Sequence, residues 1–282
     1  MTTIKFAGAA WSFVGASLSE SAAIWQALGV EAMDLMAVPG GLLDSREIER
    51  DPEGQARRVT EAGIPLSNLL YVFGDGFDDR PVNSVDESVR AANRETFKRV
   101  LQFCKAAGIP SVLVLPGVDQ VGITHEEAVE LSAAAMNELA ALAAAEDVLF
   151  LFEPHVESVL ESPFETLAFL QQNPALKIVL DYSHFMAKGY GPGDADPLGP
   201  YAGHVHLRHA CDGKLQVRWD DGELDLHAVV EVLMDANYNG YLTLEYEHDP
   251  WMDCDQVDVM TETIKMRDEM RHLLATYPFT QE

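Results

Sequence analysis

The chain has 282 residues, 48% of them apolar, and a formal net charge of −27 at pH 7. Such acidity argues against a nucleic-acid partner, because DNA affinity depends largely on Lys and Arg that neutralise phosphates; its plainer meaning is solubility. Mean hydropathy is near zero, and no apolar run approaches the ~18 residues of a spanning helix, so no membrane partner is expected.

The N-terminus and the cysteines favour a cytoplasmic protein. The segment Met1–Phe6 lacks the basic stretch and following apolar stretch of a secretory leader. The three cysteines, Cys104, Cys211 and Cys254, are far apart, so they suit neither a disulfide framework nor a CxxC metal motif. We therefore expect a reducing compartment.

Short apolar runs alternate with helical segments along the chain, as in a parallel sheet with crossover helices. The predicted strands are Ile4–Gly8, Ala32–Met36, Leu66–Val72, Ser111–Leu115, Val148–Phe152, Lys177–Leu180, Gly203–Leu207 and Tyr241–Leu244. The predicted helices are Ser19–Leu28, Ser45–Ala62, Ser84–Ala107, Thr124–Glu146, Pro163–Gln172, Asp225–Ala236 and Cys254–Ala275. Only a Pro/Gly-rich stretch with one turn is expected between the sixth and seventh strands.

Capping residues support this order. Three predicted helices open with a Ser or Thr and an acid in the first turn: Ser19, Ser84 and Thr124. Three end at a glycine that is followed directly by the next strand: Gly29, Gly63 and Gly108. Eight such units and about 250 residues are typical of one α/β domain, the (β/α)8 TIM barrel. With no low-complexity linker, we predict a single domain over residues 1–282.

Acidic and imidazole residues stand at the C-terminal ends of the last four predicted strands. They are Glu153, Asp181 with His184, His204 with His206, and Glu245. The ends of successive parallel strands meet at the mouth of a barrel, where such barrels carry their active sites. Because carboxylates and imidazoles bind divalent cations, these strand ends predict one shared metal site.

Each of these residues also has a plainer interpretation. Glu153 could be a surface loop acid, and Asp181 could cap the next helix. His184 could bind metal, bind substrate or simply pack. His204 and His206 share one face of a strand, and only one of them reaches the strand end. We favour His206 for that position and place His204 one layer deeper.

The chain resembles the xylose-isomerase-like β/α barrels over nearly its whole length. The resemblance lies in the segments Leu151-Phe-Glu-Pro-His, Val179-Leu-Asp-Tyr-Ser-His-Phe, Gly203-His-Val-His-Leu and Gly240-Tyr-Leu-Thr-Leu-Glu-Tyr-Glu. That superfamily includes sugar phosphate isomerases and epimerases, ketose 3-epimerases, inosose dehydratases and family 2 apurinic endonucleases. The resemblance implies one divalent metal ion whose ligands are Glu153, Asp181, His206 and Glu245.

The resemblance also implies roles in catalysis and substrate binding. In the epimerase branch two glutamates act as the acid and base, which here would be Glu153 and Glu245. The resemblance also makes His184 a substrate contact; the other substrate-binding candidates, taken from this chain's own strand ends and loops, are His155, Arg208, Trp11, Phe73 and Trp219. For Trp219 and for Trp251, a pocket lid and a subunit contact both stay open.

Two branches of the superfamily match less well. The endonucleases bind further zinc ions through histidines after the third and fourth strands, which here end in Tyr71-Val-Phe-Gly and Leu115-Pro-Gly. The ketose 3-epimerases place an Arg six residues beyond the metal-binding His, where this chain has Asp212. A cluster of three metal ions is therefore not expected. The nearby Arg208 or Arg218, or a lysine between them, could take the place of the missing Arg.

The predicted cofactor is one divalent ion, Mn²⁺ first, with Mg²⁺, Co²⁺ or Zn²⁺ as alternatives. Such an ion would stabilise an enediolate while carboxylates move the proton. We therefore predict a metal-dependent isomerase or epimerase of a small carbohydrate: a sugar, sugar acid or polyol. The few basic residues near the strand ends favour a substrate without a phosphate group. The alternatives are a lyase or dehydratase and a non-catalytic metal-binding partner subunit. The resemblance further implies a homodimer or homotetramer.

Overall fold

The computed structural model describes residues 4–278, so Met1–Thr3 of the N-terminal prediction and both ends of the predicted 1–282 domain lie outside it. The strands are β1 Lys5–Ala9, β2 Ala32–Val38, β3 Leu43–Asp44, β4 Leu66–Tyr71, β5 Ser111–Val114, β6 Leu149–Phe152, β7 Ile178–Asp181, β8 Ala202–Leu207 and β9 Tyr241–Leu244. All pair in parallel, and β1 bonds to both β2 and β9, which closes the ring. The two-residue β3 extends one side of β2, so the remaining eight strands form the predicted (β/α)8 TIM barrel.

Helices cover the outside of the ring. They are α1 Leu18–Ala27, α2 Ser45–Arg50, α3 Pro52–Thr60, α4 Glu87–Ala107, α5 His125–Ala144, α6 Pro163–Gln172, α7 Tyr182–Ala187, α8 Leu226–Asp235 and α9 Val259–Thr276. Short 3-10 turns lie at Asp196–Tyr201, Trp219–Asp221 and Trp251–Gln256. Within residues 4–278, no helix has both the length and the apolar character needed to cross a membrane.

The capping predictions hold at some helices and shift at others. Thr124 forms the predicted capping box with Glu127, in which each side chain bonds to the other residue's backbone. At α1 the capping box belongs to Ser17 and Glu20, two residues earlier than the predicted Ser19. Gly108 ends α4 in the left-handed conformation (φ 71°), as a C-terminal glycine should.

The packing of α1 on β1 shows how tightly the outer layer fits. Trp25 is fully buried, and its indole Nε1 donates to the carbonyl of Ala9 at 3.1 Å. Its ring fills the space beside Gly8, where an added Cβ would lie 2.1 Å from the indole. A side chain at residue 8 would therefore push the helix away from the strand.

The interior of the ring is divided into an apolar half and a polar half. Leu113, Leu151 and Val179, with Leu70 packed against them, form a separate apolar cluster supplied by neighbouring strands. Across from this cluster, the buried residues on β2, β8 and β9 include an aspartate, two histidines and a threonine. The polar half lies beneath His206 of β8 and Glu245 after β9, whereas Leu151 and Val179 of the apolar half precede Glu153 and Asp181 by two residues.

Candidate metal and substrate site

Four predicted ligands converge at the C-terminal mouth of the barrel. They are Glu153 directly after β6, Asp181 at the end of β7, His206 in β8 and Glu245 directly after β9, and all four are buried. One ligand atom from each lies within 4.8 Å of the others. The Nδ1 atom of His206 is 3.1 Å from Oε1 of Glu153 and 3.1 Å from Oε2 of Glu245.

Three of these atoms are left without a hydrogen bond. Within the described residues, Glu153 Oε1, His206 Nδ1 and Glu245 Oε2 are buried and make no well-aligned hydrogen bond, although the Nδ1 atom lies 3.1 Å from both oxygens. Buried polar atoms are nearly always paired, so an unpaired group calls for an explanation such as a bound ion. Three carboxylates and one imidazole form the hard donor set that divalent cations prefer. The residues therefore fit a divalent metal ion.

The two glutamates have opposite electrostatic environments. Burial raises the pKa of Glu153 to about 7, against the lowering effect of His206. At Glu245 burial also opposes ionisation, but Arg208 and His206 lower its pKa to about 2. In the metal-free protein, Glu245 is thus ionised at neutral pH while Glu153 exchanges a proton there. Two carboxyl groups with pKa values pushed apart in this way can serve as an acid and a base.

A network centred on Asp34 lies beneath the ligands. Its Oδ2 accepts from Thr243 Oγ1 at 2.8 Å and faces the Nε2 atoms of His204 and His206 at 2.7 and 3.2 Å. Ser67 donates to Oδ1 of the same carboxylate. His204 thus lies one layer deeper than His206, as expected. Asp34 was not among the site residues predicted from the sequence. An acidic residue within an otherwise apolar strand could have pointed to it.

Two irregularities in strand pairing aim side chains into this network. The register of β2 against β4 passes from Met33–Leu66 to Asp34–Asn68, which leaves Ser67 as an extra residue. The register of β7 against β8 shifts in the same way between Ile178 and Val179, where Gly203 is the extra residue. Such bulges redirect neighbouring side chains and are common beside active sites.

Arg208 holds the acidic side chains around the mouth. Its guanidinium is buried and lies 3.1 Å from Asp181 Oδ2, 3.0 Å from Glu247 Oε1 and 3.5 Å from Glu245 Oε2. Its Nε donates to Ser183 Oγ at 3.0 Å. Asp181 also caps α7 by accepting from the backbone N–H of Ser183 at 2.8 Å. Asp181 therefore caps α7 and also occupies the position of a predicted metal ligand.

A cavity of about 270 Å³ opens above the cluster. Glu153, Glu245, His155, His184 and Arg208 line it together with Trp11 and several aliphatic side chains. Its outer wall is aromatic: Phe77 and Trp251 lie edge to face at 6.3 Å between ring centroids, and His155 stacks on Trp251 at 5.5 Å. Trp251 therefore contributes to the cavity, and Phe77 is a lining residue that the sequence did not indicate.

Two predicted substrate contacts lie elsewhere. Phe73 packs against Phe97 of α4, with 6.4 Å between ring centroids, while its neighbour Val72 faces the cavity. Trp219 packs edge-on against His209 at 4.7 Å, and its backbone N–H donates to Glu262 of α9 at 2.7 Å. In the described structure neither side chain lines the cavity.

Fold and site together define a parallel β/α barrel with a carboxylate–imidazole cluster at its C-terminal mouth. The chain belongs to the xylose isomerase-like TIM barrel family, whose sequence model matches residues 22–275. This confirms the family resemblance seen in the sequence.

Individual relatives fit this assignment. The chain is similar to a putative hydroxypyruvate isomerase of Homo sapiens, with 27% identity over 211 residues, 70% of this chain and 75% of the relative. D-psicose 3-epimerase with D-tagatose from Clostridium cellulolyticum H10 has the same fold (TM-score 0.74, 20% identity, 96% and 99% of the chains). So does the IOLI protein with a zinc atom (TM-score 0.71, 17% identity, 98% and 100%).

Proposed function

We propose that this protein is a divalent-metal-dependent isomerase or epimerase of a small, neutral sugar or polyol-derived hydroxy-ketone. The observation that carries the proposal is the unpaired cluster itself. Glu153 Oε1 and Glu245 Oε2 both lie 3.1 Å from His206 Nδ1 at the base of one cavity. The names of the relatives, an isomerase and an epimerase, and the zinc atom of the IOLI protein support it.

The chain supplies the groups that such a reaction needs. A bound divalent ion, Mn²⁺ by preference with Mg²⁺, Co²⁺ or Zn²⁺ as alternatives, would supply Lewis-acid stabilisation of negative charge on a substrate oxygen. Glu153 and Glu245 divide the removal and the return of the proton next to the carbonyl. His155 and His184 line the cavity and offer hydrogen bonds to substrate hydroxyl groups. The aromatic wall limits the access of water.

The charges around the cavity favour a neutral substrate. Arg208 is the one Lys or Arg among the described lining residues, and it is already paired with Asp181 and Glu247. Asp249 adds a further negative charge to the lining. A carboxylate or phosphate group on the substrate would therefore meet no free cationic side chain there. Hydroxypyruvate, the molecule in the name of the human relative, is an anion and serves as a comparison substrate.

The proposal is tested by NMR in deuterated water. The Mn²⁺-loaded protein is incubated with neutral ketoses and, separately, with hydroxypyruvate. We expect a neutral ketose to give an isomer that carries solvent deuterium beside the carbonyl. Loss of a hydroxyl group as water would instead identify the dehydratase alternative, and faster turnover of hydroxypyruvate would contradict the preference for a neutral substrate.

Variants test the two glutamates. Glu153→Gln and Glu245→Gln should each lower kcat by about 10²–10⁴-fold at saturating Mn²⁺, the usual contribution of a general acid or base. Glu130→Gln, an exposed change on α5, is the matched control and should keep parental turnover. Near-parental turnover in both site variants, with Mn²⁺ bound, would remove the acid–base assignment.

A further inference from the structure

We propose that Asp34 is a positioning residue that determines which imidazole nitrogen of His206 faces the metal site. The proposal rests on the metal-binding part of the proposed function and is independent of the substrate. Asp34 lies in the middle of β2, and its side chain is fully buried. It is therefore beneath the cavity and touches the site through His206 rather than through a substrate.

The contact between Asp34 and His206 fixes the direction of the ring. Oδ2 of Asp34 lies 3.2 Å from Nε2 of His206 and is a hydrogen-bond acceptor. Nε2 therefore keeps its hydrogen in both the charged and the neutral imidazole, so Nδ1 is the nitrogen that can release its hydrogen and bind a cation through its lone pair. That atom is the unpaired one, 3.1 Å from a carboxylate oxygen of each glutamate. Metal-binding histidines commonly have a carboxylate in this supporting position.

The surrounding residues hold the carboxylate in place. Thr243 donates to Oδ2 at 2.8 Å, Ser67 donates to Oδ1, and His204 Nε2 lies 2.7 Å from Oδ2. These contacts come from β9, β4 and β8, so three other strands of the barrel fix the carboxylate of β2. Asp34 cannot rotate away from His206 without breaking several buried hydrogen bonds.

A second metal site is the other interpretation of this cluster. Asp34, His204 and His206 also lie close enough together to hold an ion. Their facing atoms, however, are already hydrogen-bonded to one another. Among the described residues, the unpaired atom of this group is Nδ1 of His206, which points to the glutamates. The geometry therefore favours a supporting role for Asp34 beneath a single site.

The first test measures metal affinity. Asp34→Asn keeps the shape of the side chain and removes its charge, so it weakens the bond that orients His206. We expect the Kd for Mn²⁺, measured by calorimetry, to rise about 10–100-fold, the usual effect of losing such a partner. Asp196→Asn is the matched control, because Asp196 also accepts a side-chain hydrogen bond, from Tyr182 at 3.0 Å, but lies on a 3-10 turn outside the site. Its Kd should stay parental.

The second test needs no substitution. Long-range ¹H–¹⁵N spectra of the Zn²⁺-loaded parent protein report which nitrogen of His206 bears hydrogen. We expect hydrogen on Nε2 and metal coordination through Nδ1. The opposite arrangement, or an Asp34→Asn protein whose Kd stays within twofold of the parent, overturns the inference while metal binding itself stands. A parent protein that binds neither Mn²⁺ nor Zn²⁺ overturns the metal-dependent function as well.

Discussion

Two adjacent layers of the barrel interior differ in whether their buried polar atoms are hydrogen-bonded. In the lower layer, Asp34 is bonded to His204 and Thr243, with facing atoms 2.7–2.8 Å apart. In the upper layer, Glu153 and Glu245 leave buried oxygen atoms unpaired in the described structure. The same kind of strand can clearly satisfy its polar groups, so the unpaired atoms are not a sign of poor packing. They fit the metal ion that we propose for this site.

The largest expected effect comes from breaking the charge balance of the upper layer. Arg208→Met leaves the buried carboxylates of Asp181 and Glu245, and the half-buried one of Glu247, without their cation. Removing one partner of a buried ion pair usually destabilises a protein by about 3–5 kcal/mol. We expect a loss of that size in the free energy of unfolding of the metal-free protein, measured by urea denaturation.

A neighbouring arginine provides the control for this experiment. Arg218→Met changes an exposed side chain in the same loop and should alter the free energy of unfolding by less than about 0.5 kcal/mol. Equal stability of the Arg208 and Arg218 variants would mean that the buried acids do not depend on Arg208.

A somewhat smaller effect concerns the proton on Glu153. Its pKa in the folded, metal-free protein is raised from 4.5 to about 7, so the folded state binds that proton more tightly than the unfolded chain. The resulting stabilisation is complete below pH 4.5 and is lost as the pH rises through 7. At about 1.4 kcal/mol per pKa unit, the total loss is about 3–4 kcal/mol.

This loss is measured as a difference between variants. With a chelator present, the parent should lose about 2–3 kcal/mol more unfolding free energy between pH 5 and pH 8 than Glu153→Gln does. Glu130→Gln, an exposed change, should follow the parent. Parallel pH profiles for the parent and Glu153→Gln would contradict the proposed environment of Glu153.

The smallest effect is expected in the lower layer. Thr243→Val removes one hydrogen bond to the carboxylate of Asp34, which should lower the free energy of unfolding by about 1.5–3 kcal/mol. Because Thr243 also helps to hold the carboxylate that orients His206, the loss should be present without Mn²⁺ and should be larger with it. Thr60→Val, in an exposed position near the end of α3, should change stability by less than about 0.5 kcal/mol. A loss confined to the Mn²⁺-loaded protein would show that this hydrogen bond does not stabilise the metal-free fold.

Much of the fold could be predicted because the residues that start and end its helices can be recognised from the local sequence. Gly29, Gly63 and Gly108 all adopt positive φ angles where helices give way to strands. The predicted helix Ser45–Ala62 is divided because Asp51 caps a new helix that begins at Pro52. These residues were visible in the sequence, whereas the two-residue strand β3 is too short to leave a pattern.

The last helix illustrates a different difficulty. It begins at Val259 rather than at the predicted Cys254, because Asp258 is its N-cap. The preceding turn contains Met252 and Asp253 in the left-handed conformation, which aspartate adopts more readily than most residues but methionine does not suggest. Tertiary contacts decide such a segment, so local propensity could not.

The site was predictable only where position along a strand determines it. The ends of parallel strands must meet, which is why Glu153 and Glu245 come together across the ring. Asp34 depends instead on contact with His204, 170 residues away in the sequence. Phe73 and Trp219 depend on the paths of loops, which spacing does not specify. Metal identity, subunit number and cellular location stay predictions.

The alternation along β8 has a consequence for engineering. His204 and His206 of β8 and Arg208 directly after it follow one another at every second residue, so one short strand and its next residue supply the lower network, the metal-facing imidazole and the buried guanidinium. Because side chains alternate between the two faces of a strand, a slip of a single residue would turn all three outward together. Insertions in this strand would therefore abolish the site in one step, whereas loop insertions at the rim leave room to redesign what the barrel accepts.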